Sequence, residues 1–184
     1  MNNYITHIKN EQGNRIETHE GIEEEFLRYF KKAHQEPSMD RMPAINKILR
    51  DIPKVITEEH NSLLLKPTNL QEIEDVVHQL KAGKAPGPDG FTSNIFHKFW
   101  DLIKIEVWQV VEESRTLIWM YLGLNATFIA LIPKVEESNT PNKYKPIALC
   151  NIIYKIVSKV IATRLKPMLP LIISPEQSGY VEGR

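Results

Sequence analysis

Apolar residues recur along the first two thirds of the chain at helical spacing, and the pattern changes only beyond Gly123. Residues 10–14, Asn-Glu-Gln-Gly-Asn, read as a turn. An amphipathic helix follows over 16–33, with Ile22, Phe26, Leu27 and Phe30 on one side, and Pro37 and Ser38 break it. Residues 40–49 suit a short helix that ends before Asp51-Ile52-Pro53. Thr57 is placed to cap a helix through Leu65, and Glu58 and Glu59 lie in its first turn, where the helix dipole favours acids. Thr68 or Asn69 caps the next helix, whose Ile73, Val76, Val77 and Leu80 share a face. Thr92 or Ser93 starts the longest one, with an apolar stripe of Phe96, Phe99, Ile103, Val107 and Val110, and Trp100 and Trp108 beside it. Residues 128–132 then form a continuous apolar run closed by Pro133, the signature of a buried strand. After a polar turn over 136–142, residues 144–150 make a second strand, and the two pair as a hairpin. Helical periodicity returns at Ile152, Ile153, Ile156, Val157, Val160, Ile161 and Leu165, and stops at Lys166-Pro167. The predicted fold class is α+β: mostly helical, with one short antiparallel hairpin.

Composition adds one domain-sized globular chain of 184 residues, 42% hydrophobic and 25% charged. Its zero net charge hides a gradient. Residues 1–80 hold ten Lys/Arg against fourteen Asp/Glu, residues 81–126 five against five, and residues 127–184 eight against four. Positive charge therefore gathers in the C-terminal part, where a phosphate-facing surface would need it. Cys150 is the only cysteine, so no intrachain disulfide forms, and its apolar surroundings suggest a small buried residue. The six histidines are scattered and suggest no ligand pair. The N-terminus lacks the layout of a signal peptide, and no apolar run approaches a membrane span. The expected location is intracellular, in cytoplasm or nucleus, with no membrane partner.

Between two helices lies Lys81-Ala82-Gly83-Lys84-Ala85-Pro86-Gly87-Pro88-Asp89-Gly90-Phe91. Its prolines fix φ and its glycines permit turns, so the loop is built to hold a position. It lacks the spacing of a nucleotide P-loop. Downstream come Thr127-Phe128-Ile129-Ala130-Leu131-Ile132-Pro133-Lys134, then Tyr144-Lys145-Pro146-Ile147-Ala148-Leu149-Cys150-Asn151, then Gln177-Ser178-Gly179-Tyr180-Val181-Glu182-Gly183-Arg184. In this order the segments resemble the front of the reverse transcriptase domain of plant LINE-type (non-LTR) retrotransposons. The resemblance covers residues 57–184, as N-terminal extension and partial fingers subdomain. Residues 1–56 resemble the variable spacer between endonuclease and polymerase domains.

The resemblance implies roles for particular side chains. In the family, cations on the fingers hairpin contact the incoming nucleotide's triphosphate. Lys134 matches the first of these, and Lys145 stands where the family has Arg, so the bidentate fork is lost. The loop with Lys84, Gly87, Asp89 and Gly90 matches a motif that lies along the template, and Gln177 and Arg184 match one that borders its path. Lys155, Lys159, Arg164 and Lys166 could add a stripe that contacts the backbone. Polymerases of this class use two Mg²⁺ ions held by aspartates. The five aspartates here, Asp40, Asp51, Asp75, Asp89 and Asp101, include no Asp-Asp pair, and none falls in 127–184. The expectation is a fragment truncated before the palm active site, with no catalytic or metal-binding residue and no cofactor of its own. Its partners would be RNA template and primer DNA in the full-length protein, and weak RNA binding or self-association for the fragment. The alternatives are a co-opted RNA- or protein-binding module and a non-functional relic.

Overall fold

The computed structural model of the chain describes residues 4–35, 40–177 and 179. Two short strands, β1 (Ile8–Lys9) and β2 (Arg15–Ile16), precede helices α1 (His19–His34) and α2 (Met42–Leu49). Helices α3 (Glu58–Leu65), α4 (Leu70–His78), α5 (Ser93–Lys98) and α6 (Trp100–Leu117) follow. Strands β3 (Thr127–Pro133) and β4 (Tyr144–Cys150) come next, then α7 (Ile152–Leu165) and the short α8 (Leu169–Ile172). The mostly helical α+β class is as the sequence indicates, with two antiparallel strand pairs rather than one.

Contacts divide the chain into two compact units: Met1–Leu49 with Ile129–Ala148, and Arg50–Phe128 with Leu149–Arg184. This differs from a division after residue 56, because most of the β3–β4 hairpin groups with the N-terminal segment. In the first unit, Ile8 pairs with Ile16 and Lys9 with Arg15 around the expected turn, where Gly13 takes φ +83°. Ile16 is thereby taken into β2, and α1 starts only after Thr18, whose hydroxyl accepts the Gly21 N–H at 3.2 Å. The small core is Ile8, Phe26 and Tyr144, with Phe26 and Tyr144 edge to face at 5.2 Å. Only Leu131 of β3 packs on this cluster, whereas Phe128, Ile129 and Ile132 are exposed. The expected buried strand is therefore only partly covered: Phe128 and Ile132 lie on the face opposite Leu131, and Ile129, on the same face as Leu131, is exposed as well. Cys150 is likewise only partly buried. The expected break at Pro37 and Ser38 lies outside the described residues.

The second unit holds the larger core, with Ile73, Val76 and Val77 of α4, Phe96, Trp100, Val107 and Val111 of α5–α6, and Ile152, Ile156 and Val160 of α7. Thr57 and Asn69 cap α3 and α4 as the sequence suggests, accepting the His60 and Glu72 N–H groups. The long helix is not continuous. Phe99, at φ −109° and ψ 17°, leaves helical geometry and splits it into α5 and α6. The phase shift exposes Phe99 and buries Trp100, and it puts Val111 rather than Val110 in the core. Both indoles find acceptors: Trp100 donates to Glu74 Oε1 and Trp108 to the Thr68 carbonyl, each at 2.9 Å.

Candidate nucleic-acid interface

The loop between α4 and α5 closes on itself and then on the start of α7. The Ser93 hydroxyl donates to the Lys81 carbonyl at 2.9 Å and ties the loop's two stems together. Gly83 and Gly90 adopt φ of +70° and +75°, and the Gly90 N–H donates to the Gly87 carbonyl at 3.1 Å. Asp89 Oδ1 accepts the Phe91 N–H at 3.0 Å, an Asx turn that stiffens the exit. Gly87 is needed for a different reason. A Cβ there would stand 2.3 Å from Asn151 Oδ1 and 2.5 Å from its backbone nitrogen.

Asn151 is the residue on which this arrangement turns, and it is 2% exposed. Its Oδ1 accepts the Asp89 N–H at 3.2 Å, its Nδ2 donates to the Gly123 carbonyl at 2.9 Å, and its own carbonyl accepts the Lys155 N–H at 3.2 Å. One buried amide thus joins the Pro/Gly loop, the turn after α6 and the first turn of α7. Sequence reasoning gave it no role. The available signal was a polar residue closing an apolar strand just before a helix.

Around this junction the predicted cations divide. Lys84 is exposed, Lys155 and Lys159 are half-buried, and none of the three ammonium groups has a hydrogen-bond or ion-pair partner among the described residues. Lys155 and Lys159 lie one turn apart on α7, which carries no carboxylate, and each is followed in sequence by a core residue, Ile156 and Val160 respectively. Arg164 differs. Its Nε and Nη2 bind Glu72 Oε1 and Oε2 at 2.6 and 2.7 Å. Nη1 donates to the carbonyls of Leu64 and Lys66 at 3.0 and 2.5 Å, and Nη2 also reaches Pro67 O at 3.4 Å. All five donors are engaged inside the unit, so the expected phosphate contact at Arg164 has no donor left to make it. Lys166 and Gln177 are exposed, and Arg184 lies outside the described residues.

A second network lies close to Arg164. Glu112 accepts both Arg115 Nε and Nη2, and also the N–H and hydroxyl of Thr68 at 3.0 and 2.8 Å. The Arg115 guanidinium, helped by Thr68, holds the Glu112 carboxyl down to about 2.

In the first unit, Lys134 Nζ donates to the Asn142 carbonyl at 2.8 Å, while Lys145 is exposed and unpaired among the described residues. No set of three or more His, Cys, Asp or Glu side chains among the described residues could hold a metal ion. The structure does bring His78 and His97 ring to ring at 6.2 Å, a pairing the scattered sequence positions did not suggest. No described helix is long and apolar enough to cross a membrane.

The fold and its cation placement thus define a mostly helical α+β chain with a rigid loop seated beside a lysine-bearing helix. No protein-family model matches it. The chain is similar to the Transposon TX1 uncharacterized 149 kDa protein of Xenopus laevis, with 28% identity over 180 residues, or 98% of the chain and 14% of that protein. It is also similar to the Retrovirus-related Pol polyprotein from type-1 retrotransposable element R1 of Bradysia coprophila, with 23% identity over 120 residues. That match covers 62% of the chain and 12% of the relative, so the chain spans only a small part of either relative's length.

Proposed function

We propose that the chain is part of a non-LTR retrotransposon polyprotein, from the front of its reverse transcriptase domain, and that it grips RNA through the lysines around Asn151. The observation that carries this reading is the match of 98% of the chain to a transposon protein. The ordered motifs around Lys84, Lys134 and Lys145 support it. So does the seat that fixes the Lys84 loop at the end of α7 that bears Lys155 and Lys159. In the longer protein the partners would be an RNA template and primer DNA, and Lys134 and Lys145 would meet the incoming nucleotide. The 184-residue chain alone would not extend a primer with Mg²⁺, because its sequence holds no Asp-Asp pair and no aspartate within 127–184.

Lysine contacts to phosphate release counterions, so affinity must fall as salt rises. For single strands the logarithmic slope is about −0.7 per contact, or about −2 for three lysines. Fluorescence anisotropy of a labelled single-stranded RNA against salt would show this slope. Changing Lys84, Lys155 and Lys159 to Gln should flatten it towards zero. A slope that survives the triple change would refute the interface.

A further inference from the structure

At the C-terminal end of α6 the chain presents an exposed apolar turn whose form is not explained by packing. Ile118 caps the helix in the left-handed region, at φ 53° and ψ 32°, a costly conformation for a β-branched residue. Ile118 is 92% exposed, so no burial offsets the strain. Just beyond, Trp119 is 52% and Tyr121 48% exposed, with Leu117 and Leu122 also in solvent. The two rings meet edge to face at 4.7 Å and 65°, and Tyr121 is fixed by donating its hydroxyl to Glu113 Oε1 at 3.0 Å. An edge-to-face pair occupies one face of one ring and leaves the remaining faces for another planar group.

The turn is not independent of the lysines. The Leu124 N–H donates to the Tyr121 carbonyl at 2.9 Å, and Gly123, between them, accepts the Asn151 amide. The same amide seats the Lys84 loop and begins α7, with Lys155 in its first turn. Exposed aromatic rings and unpaired cations on segments joined by one buried residue are the two parts of a single-strand nucleic-acid site: rings stack on bases while cations follow the phosphates. A purely apolar protein partner would match the rings and leucines but not the lysines. We infer that Trp119 and Tyr121 stack on unpaired bases of a single-stranded RNA whose phosphates run along Lys84, Lys155 and Lys159. This rests on the RNA-gripping reading above and adds the groups that hold bases.

Tryptophan emission tests it, because Trp119 is the exposed indole, whereas Trp100 is buried and Trp108 is hydrogen-bonded. Titration with a short uridine oligomer should quench the emission, and the quench should vanish in Trp119→Phe, which keeps a ring and should keep affinity. Trp119→Leu and Tyr121→Leu should each weaken binding about tenfold while leaving the salt slope unchanged. An abasic oligomer of equal charge loses both stacks and should bind the native chain more weakly than either variant binds uridine. Urea unfolding midpoints near the native value would confirm that exposed positions were altered without loss of fold. Equal affinity for abasic and uridine oligomers, with the lysine-dependent slope intact, would overturn stacking and leave the phosphate grip standing. Absence of binding to either would sink both readings. A Trp119→Leu variant that loses only concentration-dependent self-association would mark the turn as a protein interface and also overturn the proposal.

Discussion

Replacing Arg164 tests the second unit's architecture, because its guanidinium ties the end of α7 to Glu72 of α4 and to the carbonyls of Leu64, Lys66 and Pro67. Arg164→Ala removes five hydrogen bonds and leaves Glu72 without its counter-ion, although the Arg164 and Glu72 side chains are only 14% and 20% exposed. The carbonyls of Lys66 and Pro67 lie near solvent and regain water cheaply, so the cost is dominated by the uncompensated carboxylate. Breaking a buried pair of this kind costs about 3 kcal/mol. With a urea dependence of about 2 kcal/mol per molar, the midpoint should drop by about 1.5 M. Trp100, Trp108 and Trp119 all lie in the second unit, so their emission follows the unfolding of that unit. Arg164→Lys keeps the charge but loses the fork, and should recover about half of the loss. The reasoning would fail if Arg164→Ala shifted the midpoint by less than about 0.3 M, or if Lys matched Arg. It would fail equally if Arg164→Gln, still folded, flattened the salt dependence of RNA binding, because the guanidinium would then be facing phosphate.

Two further predictions follow from neighbouring contacts. The Glu112 carboxyl lies below its ordinary value of 4.5, at about 2. Its contribution is therefore present above pH ~4.5 and is lost as pH falls towards 2, a loss on the order of 1–2 kcal/mol once solvent screening is allowed for; Glu112→Gln should lower stability at pH 7 and remove that part of the acid sensitivity in urea melts between pH 5 and 2. Gly87→Ala places a methyl group 2.3 Å from Asn151 Oδ1 and 2.6 Å from the Cys150 carbonyl carbon, so it should cost about 1–3 kcal/mol by the same measurement; an alanine variant as stable as the native chain would show that the loop is not seated on Asn151.

Much of the second unit was legible because its signals are local. Thr57 and Asn69 announce their helices through side-chain geometry within three residues, and the α4 face reads directly from its period. What escaped depends on distant partners or on geometry that no residue type marks. The break at Phe99 has no Pro or Gly to signal it, and it moved the apolar stripe from Val110 to Val111. Arg164 looks like a favourable cation in a helix's last turn, yet its carboxylate partner lies 92 residues earlier in the chain. Gly87 reads correctly as part of a rigid loop, but its reason is Cys150 and Asn151, 63 and 64 residues downstream. The grouping of the hairpin with Ile8 and Phe26 was invisible for the same reason, since short strands carry no record of what covers them.

The arginine–lysine division sets what kind of surface the protein can offer. Arg28, Arg115 and Arg164 each hold a glutamate by a two-pronged contact, with Glu25, Glu112 and Glu72 respectively. The excess positive charge of residues 127–184 is therefore reduced where it had seemed strongest, because Glu72 neutralises Arg164 from the acidic half of the chain. Lys84, Lys155 and Lys159 of the second unit, whose ammonium groups are unpaired among the described residues, are compact point charges without a planar fork. Such groups meet phosphate wherever it runs but read no base edge, so the lysines alone can give affinity that is salt-sensitive and indifferent to sequence. Any preference among RNAs must come from groups that touch bases. If Trp119 and Tyr121 hold bases as proposed, stacking would favour single strands over duplexes without distinguishing strongly among bases. On that proposal the second unit would hold an unpaired strand without selecting strongly among sequences.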